Sequence, residues 1–481
     1  KLRQSNPVYN AQYICSLKPD YYLQLPNALI NSLQNAKGFS KEAFEQQHVS
    51  SVKVTSLRTN PFKWQQTSLS LIPPTLPLSS PVPWCTTGFY LSERPSFTLD
   101  PLFHAGCYYV QEASSMFIEQ MIKTVYPDHA TAKYKVLDLC AAPGGKTTHL
   151  SALFPESLIV ANEVIKTRAG VLTENAVKWG KENVVVTSND ATDFKALQGY
   201  FDMIVTDAPC SGSGLFRKDP DAITEWSLQN VALCSKRQQR IIQDSWKALK
   251  ENGIFIYSTC SYSVEENEAV LDWMAEAFEV ETIPVPGATG WGIVETVSDR
   301  KNMYGYRFYP DKIKGEGFFI ACIRKKEAAA EQIPKPKKFI MASIQEQKAI
   351  TPFLKAAEQF EMVRSNDEVK ILKKCDMESL AILFSALYIK KLGTRAGRVM
   401  RDELIPSHDL ALSTIIALNL KAIDADQETA LDYLRKKDIA AGNAAPGWNV
   451  VRFMGHNLGW AKVLPNRVNN YYPSGFRILK H

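Results

Sequence analysis

From residue 134 onward, short apolar runs alternate with helix-like stretches, and this alternation constrains the fold more than any other feature of the chain. The runs are Lys135–Cys140, Leu158–Ala161, Val184–Thr187, Met203–Asp207, Ile254–Ser258 and Phe318–Ile323. Strands separated by helix-length crossovers lie parallel, and helices then cover both sheet faces. The expectation is an α/β chain with a mostly parallel, doubly wound sheet as its core, over residues 96–324.

The flanks read differently. Leu23–Phe44 has a helical pattern and Ser51–Thr59 alternates like a strand, so residues 1–95 form an N-terminal α+β extension, with a Pro/Ser/Thr-rich loop at 71–87. Residues 325–338 carry Lys, Glu and two prolines and read as a charged linker. An intermediate region, 339–399, contains a helical stretch at Ile371–Ile389. Residues 400–481 show short strand-like runs between Gly, Asn and Pro turns, as in a small β-rich module.

Composition excludes whole classes. At 45% hydrophobic and 22% charged residues the chain is neither fibrous nor mostly disordered. No apolar run is long enough to span a bilayer, and Lys1–Asn6 lead into no apolar signal segment. Nine cysteines without a C-x-x-C pair argue against a disulfide scaffold or zinc ribbon and for a reducing compartment, hence the cytoplasm. No metal is expected. Net charge runs from +5 over residues 1–70, through −8 over 71–323, to +9 over 324–481. Basic ends around an acidic centre fit an enzyme core with polyanion-binding arms, and equally fit clustered solvated charge.

The first strand enters Cys140-Ala141-Ala142-Pro143-Gly144-Gly145-Lys146. Open α/β sheets bind ligands beyond the carboxyl ends of their strands. Small residues let backbone approach a ligand there, and a helix N-terminus offers free N–H groups. The loop is neither a G-x-G-x-x-G fingerprint nor a P-loop, since position 140 is Cys. Glu163 follows the second strand, where an acid receives ribose hydroxyls, and Asp190 follows the third, within reach of an adenine amino group. Each alone reads as a surface acid. On three consecutive strands they point to an adenosyl ligand.

The fourth strand enters Asp207-Ala208-Pro209-Cys210 and the fifth Thr259-Cys260. Cysteines are usually small buried hydrophobes, which is the reading for Cys140, Cys234 and Cys322. Cys210 and Cys260 instead share a location at strand ends in polar loops. A thiol beside an adenosyl cofactor suits carbon methylation of a pyrimidine. A thiolate adds to C6 of cytosine, and the resulting enamine carbon C5 attacks a methyl sulfonium. Asp207 can hydrogen-bond the extruded base and stabilise the enamine.

LCAAPGGKT (139–147), NE (162–163), TDAPCSGSG (206–214), KRQQ (236–239) and STCSYSVEENE (258–268) together resemble the NSUN-type RNA cytosine-5 methyltransferase family. SLRTNPFK (56–63) and QEASS (111–115) match it too, so the likeness covers about residues 20–325. The resemblance implies a Rossmann-like core that uses S-adenosyl-L-methionine. It makes Cys260 the nucleophile and Cys210 the residue that assists product release. Cofactor contacts are implied at Cys140, Ala141, Ala142, Pro143, Gly144, Gly145, Lys146, Glu163, Asp190 and Asp207. DNA cytosine-5 methyltransferases use the Pro-Cys cysteine as nucleophile instead, so the presence of both loops favours RNA.

Residues 455–478 resemble the PUA-like end of the bacterial branch that methylates 16S ribosomal RNA. Lys462, Arg467, Arg477 and Tyr471 are the candidate RNA contacts there, basic residues for phosphate and an aromatic for stacking. About half of the tail's aromatics are expected in the module's own core. The expected partner is 16S rRNA or the small subunit, with tRNA as the competing substrate and a non-catalytic RNA-binding assembly factor as a weaker rival. The expected state is a monomer, and loss of residues 400–481 is expected to weaken RNA binding while sparing the cofactor.

Overall fold

A computed structural model describes residues 25–50, 53–64 and 76–480. Its centre is one large mixed sheet. Five strands pair in parallel in the order Val184–Thr187, Leu158–Asn162, Lys135–Asp138, Phe201–Asp207, Leu249–Thr259. Antiparallel strands close both edges: Phe318–Lys325, Tyr304–Phe308 and Val294–Val297 beyond the fifth, Ile389–Lys391 beyond the third. The sequence runs are apolar without alternation because both faces are covered. Val136, Ile159, Val205 and Ile256 face one core, and their neighbours Leu137, Val160, Ile204 and Phe255 face the other. Chain order reverses between the first and fourth strands, which opens a crevice at their carboxyl ends. No helix is long and apolar enough to cross a membrane among the described residues.

Several boundaries differ from the sequence reading. The N-terminal sheet runs Leu78–Pro81, Gly88–Leu91, Ser56–Thr59, Tyr108–Val110, so its last strand lies past the expected limit at residue 95. The short strand Leu78–Pro81 also occupies part of the expected 71–87 loop; it is an edge strand, where Pro is tolerated. Of the helix expected at Leu23–Phe44, two pieces form, Asn27–Leu33 and Lys41–Val49. Between them Gly38 takes φ +79°, and a Cβ there would sit 2.7 Å from the Val294 side chain. Leu23, Gln24, Ser51 and Val52 lie outside the described residues.

The helix expected at Ile371–Ile389 contracts to Met377–Ala386. Ile371 belongs to the strand Glu368–Lys373, whose Val369 and Ile371 are buried at a period of two, and Ile389 opens the edge strand of the large sheet. The expected limit at 399/400 falls inside the strand Thr394–Met400, which pairs with Glu403–Pro406 in a five-stranded sheet of the intermediate region. The expected linker is strapped to the core instead of hanging free: Gln332 and Gln198 exchange backbone hydrogen bonds at 3.0 Å, and Lys337 N–H donates to the Ser385 hydroxyl at 2.9 Å.

The C-terminal sheet consists of Ala422–Ala425, Gly447–Phe453, His456–Leu464 and Arg467–Asn470. It shares one hydrophobic core with the N-terminal extension. Leu57, Leu102 and Tyr108 pack in the same cluster as Tyr433, Val451 and Tyr472.

Candidate active site

Two cavities meet beyond the carboxyl ends of the parallel strands. One, of about 540 Å³, is lined by Cys140, Ala142, Glu163, Asp190, Asp207, Cys210 and Cys260, among others. Its neighbour, of about 420 Å³, is lined by Tyr109, Gln111, Ala141, Pro143, Gly145, Lys146 and Phe318. Cys140, Ala142, Asp207 and Cys260 border both. Of the first loop, Cys140 and Ala142 line both cavities, Ala141, Pro143, Gly145 and Lys146 line only the smaller one, and Gly144, expected as a contact, lines neither.

The loop after the first strand is braced from the helix Lys166–Trp179. Arg168 donates to Ala142 O and the Asn175 amide to Pro143 O, both at 2.8 Å. Gly144 takes φ +113° at the helix start, where a Cβ would approach Leu172 to 3.2 Å. Asp138, fully buried, accepts the Thr147 hydroxyl at 2.6 Å, and burial pushes its carboxyl up to about 7.

Glu163 is buried, accepts from Ile165 N–H at 2.9 Å and lies 3.5 Å from Arg168. Asp190 caps the turn Ala191–Ala196. The Thr192 N–H at 3.1 Å holds its carboxyl below the usual range, helped by Arg240 at 3.5 Å. Asn162, beside Glu163, locks the second strand end to the others through Leu139 O, the Thr187 hydroxyl and Asn189. Asp207 pairs with Lys146 at 2.8 Å and accepts the Ser258 hydroxyl at 2.9 Å.

The two strand-end cysteines converge, Cys210 Sγ lying 2.8 Å from Cys260 Sγ. That hydrogen bond, reinforced by burial, raises the Cys210 thiol well above its ordinary value. Either thiol can be the donor across that contact. Cys140 and Cys322 are also pushed up, by burial, and stay thiols.

Sequence reading missed Asn162, Arg168, Gln238 and Glu266, although NE, KRQQ and EENE flagged three of the four positions. It also missed a buried group of Cys85, Glu119 and His149, which come from three distant segments. Glu119 there accepts from Thr86 N–H, the Thr86 hydroxyl, Lys123 and His149, and burial holds His149 neutral with a pKa of about 4. With its acid already filled by donors, the group serves as a hydrogen-bonded brace.

In the tail, Trp460 and Tyr472 are buried, whereas Tyr471 is exposed and its ring lies 4.5 Å from Trp448. Lys462 pairs with Glu403 at 3.0 Å, and Arg467 and Arg477 are exposed.

Fold and cleft together define a Rossmann-like methyltransferase. Residues 127–324 match the family described as 16S rRNA methyltransferase RsmB/F, residues 25–113 the N-terminal domain of 16S rRNA methyltransferase RsmF, and residues 420–478 the methyltransferase RsmF PUA domain. Over 413 residues the chain is 31% identical to ribosomal RNA small subunit methyltransferase F of Aliivibrio salmonicida, covering 82% of this chain and 84% of that one. The chain belongs to this family. Among solved structures, PH0851 aligns with a TM-score of 0.54 at 23% identity, over 65% of this chain and 70% of that one. NSun6 from Pyrococcus horikoshii with SFG aligns with a TM-score of 0.50 at 22% identity, over 64% of this chain and the whole of that one. Both show the same fold.

Proposed function

We propose that this protein uses S-adenosyl-L-methionine to form 5-methylcytosine in small-subunit (16S) ribosomal RNA in the cytoplasm. The observation that carries the reading is the pair of thiols, 2.8 Å apart, both on the wall of the larger cavity, with Cys260 also bordering the smaller one. Glu163 and Asp190 line the larger one, at the ends of successive strands, and suit the ribose and adenine of an adenosyl ligand. When bound, that ligand supplies an electrophilic methyl group.

The protein's own groups do the rest. Cys260 adds as a thiolate to C6 of an extruded cytosine, which makes C5 nucleophilic. Asp207, steadied by Lys146 and Ser258, accepts from the amino group of the base and orients it, and the Lys146 ammonium beside it offsets the negative charge that addition creates. Once C5 carries the methyl group and gives up its proton to a water molecule, the C6–S bond breaks and Cys260 departs as a thiolate. The protonated Cys210 donates to that sulfur and stabilises the leaving group. The exposed Arg467, Arg477 and Tyr471, together with Lys462, serve as RNA contacts on the C-terminal module.

Bisulfite sequencing of rRNA and tRNA from cells with and without the protein tests the reading. A 16S cytosine that loses its methyl mark in the deletion strain is the expected result. An unchanged rRNA with a lost tRNA mark would reassign the substrate, and no change in either would end the proposal.

A further inference from the structure

The acid of the EENE run takes no part in the mechanism above, yet it touches both cysteine loops. Glu266 is fully buried. One oxygen accepts Ser211 N–H at 2.7 Å and the Gln238 amide at 3.2 Å, and the other accepts the Ser211 and Ser261 hydroxyls, each at 2.5 Å. Ser211 directly follows Cys210, and Ser261 directly follows Cys260. We propose that Glu266 is a positioning residue for product release, a clasp between the two loops that sets the contact between Cys210 and Cys260. The proposal rests on the two-cysteine reading above.

The two loops depend on the clasp unequally. The Thr-Cys loop has other holds. The Asn267 amide donates to Ser261 O at 2.8 Å, and the Thr259 hydroxyl donates to Asn267 at 2.6 Å. Arg307, locked by two bonds to Glu268, donates to Tyr262 O at 2.7 Å. On the Pro-Cys side Gln238 braces Pro209 O at 3.0 Å, and past Ser211 the Ser213 hydroxyl accepts Tyr262 N–H at 2.9 Å and Gly214 N–H donates to Cys260 O at 2.8 Å. Beside Cys210 itself, however, the N–H and hydroxyl of Ser211 both point to Glu266, the hydroxyl also lying 3.2 Å from that of Ser261. Losing the clasp therefore frees Cys210 more than Cys260. Addition and methyl transfer continue, while the departing Cys260 sulfur loses its proton donor. A buried carboxylate held by neutral donors alone is a costly way to add stability, which also argues for a geometric role.

The test uses the full-length protein, an rRNA fragment and labelled cofactor. Single-turnover methylation, multiple turnover and RNA adducts on denaturing gels are compared for the wild type, Cys210→Ala, Glu266→Ala, Glu266→Gln and Ser211→Ala. Glu266→Ala is expected to keep single-turnover methylation within about tenfold, to turn over slowly and to accumulate adduct as Cys210→Ala does. Glu266→Gln should largely rescue release, because the serine hydroxyls can reverse their hydrogen bonds. Parallel loss of methylation and turnover without adduct, or wild-type behaviour in both, overturns the clasp. If Glu266→Ala does not fold, Ser211→Ala decides: a milder adduct supports the clasp, and none rejects it. Adduct with Cys210→Ala but not with folded Glu266→Ala rejects the clasp alone. No adduct with Cys210→Ala rejects the two-cysteine reading, and the clasp with it.

Discussion

At the scale of single residues, Cys260 and Cys210 are both thiols at strand ends, and the proposed mechanism gives them separate roles. The contact with Cys260 and burial push the Cys210 thiol upward, which agrees with the proposed role of Cys260 as the nucleophile. Cys260→Ala should abolish methyl transfer and leave cofactor affinity nearly unchanged. Labelling of RNA by that variant at near wild-type rate would remove Cys260 from the mechanism. Glu163 is buried at the second strand end, where a charge-assisted hydrogen bond to ribose is worth roughly 1.5–3 kcal/mol. Glu163→Gln should therefore weaken cofactor binding about ten- to a hundredfold by calorimetry. An unchanged dissociation constant would mean that this acid does not meet the ribose.

At the scale of elements, the intermediate region proves to be part of the catalytic sheet. The strand Ile389–Lys391 pairs with Val184–Thr187, and Tyr388 just before it grips the loop that carries Asp190. The Asn189 side chain accepts Tyr388 N–H at 2.9 Å and donates to Tyr388 O at 3.1 Å. Ser188 N–H also donates to Tyr388 O, at 3.1 Å. Asn189→Ala removes two hydrogen bonds, a local loss on the order of 1–3 kcal/mol. Amide exchange over residues 186–192 should speed up markedly, and cofactor affinity should fall several-fold. Exchange that matches the wild type would show that Asn189 does not hold the loop.

At the scale of the whole molecule, the C-terminal module cannot be cut away cleanly. Its residues Tyr433, Val451 and Tyr472 complete the core of the N-terminal sheet, so deleting 400–481 would expose Leu57, Leu102 and Tyr108 to water. Point changes are the proper test of the tail. Arg467→Glu with Arg477→Glu should lower RNA affinity, with the salt slope falling by about 0.7–0.9 for each phosphate no longer neutralised. Superimposable salt curves would leave both arginines as solvated surface.

Buried histidines set an acid limit. Burial lowers His48, His104, His408 and His456 from 6.5 to about 4. His408 packs against Tyr472, and His456 stacks on Trp64 at 5.1 Å. Unfolded histidines take up protons at about pH 6.5 and these do so only near 4, so the stability they contribute is whole above 6.5 and lost as pH falls towards 4. Each contributes at most about 3 kcal/mol. Thermal melts should show a steep drop in Tm across that window, with uptake of more than one proton on unfolding. A flat Tm between pH 6.5 and 4.5 would contradict this.

What the sequence determined by itself was local or periodic. Continuous apolar runs announced strands buried on both faces, and small residues after the first strand announced a loop that lets a ligand approach. The cysteines drew notice because each followed a strand into a polar loop. Pairings between distant segments have no such local signature. Nothing in the run Ile371–Ile389 shows that its end will add a strand to a sheet that begins at residue 135. Nor does a lone Glu266 reveal that two serines fifty residues apart will share it. Those contacts exist because sheet order brings the fourth and fifth strands side by side, Asp207 opposite Ser258, and with them the loops that carry Cys210 and Cys260. Register and burial, which only the tertiary structure decides, turned two ordinary thiols into a pair.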